Sequence, residues 1–350
     1  MEQNMKKLVS LLLSLLLVLS LVPAMAEGNT RVFADSLGRE ITVPTQIDKI
    51  AVTGPLGQIT VFAIAPDLFV GIPNAWDDEE KAYLDEKYHN LPVLGQVYGG
   101  KGEMNREELL NAAPQVVIDL GEPKEGAGDD LDALMQQTGL PWVHISAYID
   151  SLDETYIKLG ELLGMEEKAQ EFAAYCADMY SRMETLAGSV EKVNMLYVLG
   201  EEGLNVLAKG SFHSAIIDMM ANNLAVVDNP LSKGTGNEVD MEQILTWNPD
   251  VIIFAEGSIY ATVAENSVWQ NVTAIKNGDY YEVPVGPYNW MGMPPSVQRL
   301  LGLMWMGKLL YPEQADYDLY EEVAKYYELF YNYELTQEGY DALVKNSIGK

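Results

Sequence analysis

One short element occurs twice in this chain, and the repeat limits what the chain can fold into. MNREELLNAAPQVVIDLGE starts at Met104, and VDMEQILTWNPDVIIFAEG starts at Val239. At an offset of 135 residues, Glu107 falls on Glu242, Leu110 on Leu245, Pro114 on Pro249, Val116 on Val251 and Ile118 on Ile253. Each copy reads as a short helix ended by proline and followed by a continuous apolar strand. Such strands are buried on both faces of a mainly parallel sheet covered by helices. One copy calls for one α/β layer stack, and two copies call for two.

Within the element, Leu110, Pro114, Val116 and Ile118 read as core and punctuation. Asn105 and Asp240 suit the N-cap, with Glu108 and Gln243 three residues on to complete a capping box. Glu107 and Glu242 are left over. Their bland role is to complement the helix dipole, a few tenths of a kcal/mol each.

Alternation surrounds both copies. Arg31 to Pro44 reads as a hairpin around Ser36-Leu37-Gly38. Strands are expected at 50–53, 68–72, 116–120 and 143–145, with helices at 56–65, 77–87, 105–112 and 129–138. From Ser151 the pattern changes. Leu159, Leu162, Phe172, Cys176, Met179, Met183 and Leu186 recur at helical steps, interrupted at Gly164. No strand signal appears for roughly forty residues, too long for an ordinary loop. Strands then resume at 195–199, 251–255 and 280–283, with Gly210-Ser211 opening a helix to Met220. The chain closes with helices at 295–310, 316–333 and after Thr336. The expected organisation is a leader at 1–26, an α/β lobe at 27–150, a connecting helix at 151–190 and a second α/β lobe at 191–350. The fold class is α/β: two Rossmann-like lobes with mainly parallel sheets, joined by one long helix, with the ligand cleft between them.

The leader expectation rests on Lys6 and Lys7, an apolar run from Leu8 to Val22, and Ala24-Met25-Ala26. That is a signal peptide cleaved after Ala26, with an uncleaved anchor as the alternative. The single cysteine, Cys176, is far from the cleavage point. A lipid anchor is therefore not expected, and the fold must hold without an internal disulfide. A net charge of −30 argues against nucleic acid and anionic membrane as partners, since both select a basic face.

No G-x-S-x-G elbow, P-loop or G-x-G-x-x-G is present, and three histidines sit at no metal-ligand spacing. The chain reads as a non-enzyme, with no catalytic residues, resident metal or cofactor. Ligands of open α/β sheets bind beyond the carboxyl ends of the strands. The candidate loops carry Gly54 and Pro55, Trp76, Tyr98 and Lys101, Lys209, Ser211 and His213, and Tyr288, Trp290 and Met291. The Gly210-Ser211 helix start offers backbone N–H groups to an anion, and the aromatic residues suit stacking on a bulky ligand. Trp290 and Met291 suit packing beneath the following helix equally well.

VFADSLGREITVP, IAVTGP, the paired elements with Glu107 and Glu242, and the ending NWMGMPPSVQRLLGLMWMGKLLYPE together resemble the periplasmic binding proteins of iron-siderophore, haem and vitamin B12 importers. The likeness spans nearly all of the chain beyond residue 26. It implies a monomeric periplasmic receptor that hands a metal chelate to an ABC permease without inserting in the membrane. It further implies that Glu107 and Glu242 dock onto arginines of two permease subunits. A molybdate or tungstate receptor is the alternative, and an enzyme or electron carrier on the same plan is the competing class. The cluster cysteines of the electron carriers are missing. The arginine triad expected of trihydroxamate or catecholate carriers is also missing from the candidate loops, with only Arg299 near one of them.

Overall fold

A computed structural model describes residues 29–97 and 103–348. The leader at 1–26 and the candidates Tyr98 and Lys101 lie outside the described residues.

The first hairpin pairs β1 (Thr30–Ala34) with β2 (Glu40–Pro44). Its turn is fastened by the buried Asp35 carboxylate, which accepts from the Leu37 and Arg39 amides and pairs with the Arg39 guanidinium at 2.6 Å. The same carboxylate accepts from the His144 amide, which ties the hairpin to the first lobe.

That lobe is built on β3 (Ile50–Val52), β4 (Val116–Gly121) and β5 (Trp142–Ser146), all parallel, in the order β3-β4-β5. Every residue of β4 is buried. Val116, Ile118 and Leu120 face one apolar cluster, and Val117 faces another. A period of two with both faces covered is what the apolar run predicts. Two expectations are corrected here. Instead of a strand at 68–72, a 3₁₀ turn at Pro66–Leu68 is followed by two isolated parallel bridges, Phe69 to Ile50 and Ile72 to Val93. The helix at 77–87 breaks in two, Asp78–Lys81 and a 3₁₀ turn at Glu86–Tyr88, because Asp77 and Asp85 each cap a separate start.

The helical middle is two helices, Leu152–Leu163 and the 24-residue Glu166–Ser189. The longer one is about 36 Å at 1.5 Å per residue. Gly164 turns between them in the left-handed region. All seven apolar positions read from the sequence are buried.

The second lobe carries β6 (Asn194–Leu199), β7 (Asn205–Val206), β8 (Asn222–Asn223), β9 (Asn237–Glu238), β10 (Val251–Phe254) and β11 (Tyr280–Glu282). The order is β11-β10-β6-β7-β9, with β8 beside β6. β11, β10, β6 and β8 run parallel, while the short β7 and β9 pair antiparallel.

The repeated element is built alike in both lobes. Helices Arg106–Ala112 and Met241–Trp247 each end on a left-handed residue, Ala113 and Asn248, before the proline. Asn105 and Asp240 cap them, but the return bond from Glu108 or Gln243 is absent from both caps; among the described helices it forms at Asp77 and Glu80. Leu110 and Leu245 are not core: they are 46% and 36% exposed, and the buried partners are Leu109 and Ile244.

Helices Arg299–Leu310, Leu319–Tyr331 and Gln337–Leu343 close the chain. The second of them packs on both the connector and the first lobe: Phe330 meets Phe172 of the long helix edge-on, and Tyr327 meets Tyr83 of the first lobe. Thr60 and Ser296 share a 2.5 Å hydrogen bond between their hydroxyls, and Ser296 also donates to the Leu56 carbonyl. No described helix is long and apolar enough to cross a membrane.

Candidate functional site

The carboxyl ends of β6 and β10 open into a pocket of about 480 Å³. Leu199 ends β6 and Gly200 follows it, Ala255 and Glu256 follow β10, and Asn205, Gly234, Thr235, Asn289 and Met293 complete the wall. Gly200 has φ +82°, and a Cβ there would meet the Asn205 side chain at 3.1 Å, so the tight turn keeps the floor open. Asn289 is fixed: its Nδ2 donates to the Tyr197 hydroxyl and its Oδ1 accepts from the Met291 amide. Glu256 faces the first lobe and raises the pKa of Glu79, second to burial. Glu80 beside it is pushed up to about 7, chiefly by burial.

In the first lobe, Gly54 is the extended N-cap of helix Pro55–Ile64, with Pro55 at its first position. Gln58 binds both the carbonyl and the amide of Asn74, holding the 54–58 and 73–76 loops side by side. Trp76 is withdrawn from the ligand: it is buried, its Nε1 donates to the Tyr88 carbonyl, and its ring meets Phe62 edge-on at 5.0 Å. His144 is likewise spent locally, since its Nδ1 lies 2.7 Å from the Asp119 carboxylate, which Thr53 also engages.

In the second lobe, Trp290 and Met291 are fully buried, so the packing role is the one realised. A Cβ on Gly302 would fall 2.3 Å from the Trp290 carbonyl, which shows how closely the C-terminal helix lies on this loop. Tyr288 is half-buried near Tyr331, and burial first, then Glu80, pushes its phenol up.

At the Gly210-Ser211 helix start the amides are engaged within the chain. Gly210 donates to the Asp218 carboxylate at 2.7 Å, Ser211 to the Ala208 carbonyl and Phe212 to the Ser232 hydroxyl. Ser211 itself caps the turn by accepting from the Ser214 amide. A carboxylate of the chain already holds the N–H group offered to a ligand. Lys209 is exposed. His213 is buried with its Nδ1 unpartnered, and burial, with the nearby Arg299 charge, lowers it to about 4.

Sequence reasoning passed over Gly200 and Glu256, and noted Arg299 only as the arginine near a candidate loop. The rule that ligands sit beyond strand ends, applied to β6 and β10, finds the first two. Arg299 opens a helix, RLLGLMWMGKLL, that is apolar on every side. Such a helix is buried, and it takes its arginine inside with it. Among the described residues no group of three His, Cys, Asp or Glu side chains is placed to hold a metal ion.

The chain is similar to an ABC transporter solute binding protein from Sulfurospirillum deleyianum, at 26% identity and TM-score 0.82, covering 90% of this chain and 99% of that one. A periplasmic solute binding protein from Veillonella parvula matches at 25% identity and TM-score 0.73, covering 91% and 98%. The molybdate periplasmic binding protein of Haemophilus influenzae, with molybdate bound, shares the fold at 22% identity and TM-score 0.71, covering 87% and 99%. No curated protein sequence matches significantly. The family described as periplasmic binding protein matches residues 50–285, which take in the central strands of both sheets and the long helix between them, and the chain belongs to that family.

Proposed function

We propose that this protein is the exported receptor of an ABC importer, released from its leader after Ala26, which captures a compact metal chelate as a monomer. The lobes at 27–150 and 191–350 flank the cargo, and the helical stretch at 151–190 is the hinge. The observation that carries this reading is the pocket at the ends of β6 and β10. Its volume, about 480 Å³, lies in the range of small-molecule sites and far exceeds a bare tetrahedral oxyanion. A ferric siderophore of modest size suits it best; haem is tighter, and cobalamin requires the lobes to part further.

Glu107 and Glu242 are the proposed handles for the permease. Both are exposed, and neither carboxylate has a hydrogen-bond or ion-pair partner among the described residues. One carboxylate per lobe suits a two-fold symmetric partner. The oxyanion reading, molybdate or tungstate, stands second and is favoured by the buried guanidinium of Arg299.

The test is purification of residues 27–350, an absorption spectrum and metal analysis, then calorimetry against ferric siderophores, haem, cobalamin and molybdate. Tight binding of a coloured chelate is expected. Binding of molybdate alone would replace the first reading with the second, and turnover of any added compound would overturn the class.

A further inference from the structure

Arg299 is 1% exposed, yet no carboxylate of the described residues pairs with it. Its Nη1 donates to the Phe212 carbonyl at 2.9 Å, its Cζ lies 4.8 Å above the Phe212 ring, and its Nε has no partner. A guanidinium has five N–H donors, and one carbonyl with one ring face does not satisfy them. Burying such an ion without a paired carboxylate carries a desolvation penalty of several kcal/mol. Burial lowers its pKa to about 10, with Asp150 and Glu122 opposing from the loops after β5 and β4, so it stays charged at neutral pH.

The neighbouring His213 is 8% exposed and also leaves a ring nitrogen unused. Two buried, under-bonded groups thus sit together, and their position is at the lobe seam. Phe212, which covers Arg299, meets Tyr148 of the first lobe edge-on at 5.9 Å. The 286–293 loop is shaped around the arginine stem. Gly292 has φ +87°, and a Cβ there would lie 2.5 Å from Arg299 Cγ.

We infer that Arg299 and His213 form an anion subsite at the lobe seam, which takes a compact multi-oxygen anion when Phe212 and Tyr148 separate. The planar fork of the guanidinium matches two oxygens of one anion, and the imidazole supplies a third contact. The anion is either a free oxyanion or an acidic group of the chelate, such as a carboxylate. This inference rests on the receptor reading and sharpens it: the cargo is anionic although the protein is strongly acidic.

The experiment is calorimetry on residues 27–350 with molybdate, tungstate and sulfate as free oxyanions, ferric citrate as a carboxylate chelate, and cobalamin as a ligand with neither a free oxyanion nor a carboxylate, its one phosphate being an internal diester. The wild type is expected to bind one of the first two classes, and which class it binds identifies the source of the oxygens. Arg299→Gln should weaken that binding at least ~100-fold, while Arg299→Lys, which keeps charge but loses the fork, should weaken it less. Thermal unfolding without ligand supplies a second readout. Arg299→Gln should melt no lower than the wild type, because it removes an unpaired buried charge; a structural arginine would give a lower melting temperature. Anion binding that is equal in wild type and Arg299→Gln overturns the subsite. Binding of cobalamin alone, unaffected by Arg299→Gln, overturns the subsite and leaves the receptor standing. Binding of no probe in this set overturns the subsite, and the receptor reading falls with it only when ferric siderophores and haem also fail to bind.

Discussion

Replacing Glu107 and Glu242 by glutamine should separate docking from everything else the protein does. In the free protein each carboxylate stands in the first turn of a seven-residue helix, exposed and unpaired among the described residues. Its loss there costs only the dipole contribution, a few tenths of a kcal/mol, so stability should stay within about 0.5 kcal/mol of wild type. Neither residue lines the pocket, so ligand affinity should also hold. Docking is different, because an interfacial arginine deprived of its partner is left desolvated and unpaired. A loss of about 2 kcal/mol per site, at the low end for such pairs, weakens docking about 30-fold. The two sites lie on separate lobes with no shared partner, so their effects should add to roughly 1,000-fold in the double variant. The assay is ligand uptake by vesicles holding the permease, with each variant added at matched ligand saturation. A double variant that supports normal uptake at normal ligand affinity refutes the reasoning. A loss of uptake that tracks a loss of ligand binding refutes it as well.

Leu110 and Leu245, exposed one turn beyond the glutamates, should belong to the same contact: Leu110→Ser with Leu245→Ser lowers uptake without lowering the melting temperature. Ala113 holds φ +51°, a conformation costing an alanine about 1 kcal/mol. Ala113→Gly should therefore raise stability by a few tenths of a kcal/mol after the entropy of the unfolded chain is offset, and Asn248→Ala at the matched site should lower it; urea midpoints decide both. His213 has a folded pKa of about 4 against an ordinary 6.5. The unfolded chain takes up that proton first, so stability is full above about pH 6.5 and falls as pH drops toward 4, by up to about 3 kcal/mol. Glu80, raised to about 7 from 4.5, acts with the opposite sign: its share is full below pH 4.5 and is lost as pH rises through 7. His213→Asn should flatten the acid limb and Glu80→Gln the other, in urea titrations from pH 4 to 8. Burial pushes the Cys176 thiol far up, so a thiol reagent should label it only at the rate of unfolding.

The layers of this fold were readable because they follow from periodicity. Apolar runs on both faces marked β4, β6 and β10, and helical steps marked the connector down to Cys176 and Met183. Short elements were harder, because in seven residues two adjacent apolar side chains compete for one buried position. Leu109 and Ile244 won it, and Leu110 and Leu245 were left outside. The run at 77–87 contains two aspartates that cap, and two caps make two helices. The site was less legible for another reason. Gly/Pro-rich loops with aromatic residues serve a ligand and a core equally well, and Trp76, Trp290 and Met291 went to the core. The free N–H groups at Gly210 depended on Asp218, a residue on the helix that follows, whose return to its own N-terminal loop is a matter of side-chain direction.

The internal repeat also explains why docking is easier to read than cargo. The two copies match in helix length, cap position, left-handed terminus, proline and following strand, and each exposes a glutamate and a leucine at equivalent positions, Glu107 and Leu110 in one and Glu242 and Leu245 in the other. A surface that repeats across a two-lobed chain has an equivalent on the other lobe, and a two-fold partner meets both at once. The ligand sees no such symmetry. The pocket draws on Gly200, Glu256, Asn289 and Met293 from the second lobe alone, and the proposed anion subsite joins Arg299 and His213 of that lobe to a single ring, Tyr148, of the first. On the proposed reading, exposed residues that recur between the lobes belong with the permease, and site residues without a counterpart belong with the cargo. By that criterion Arg299 falls on the cargo side: 135 positions earlier the chain has Gly164, the turn between the two helices of the connector and no part of a matching site.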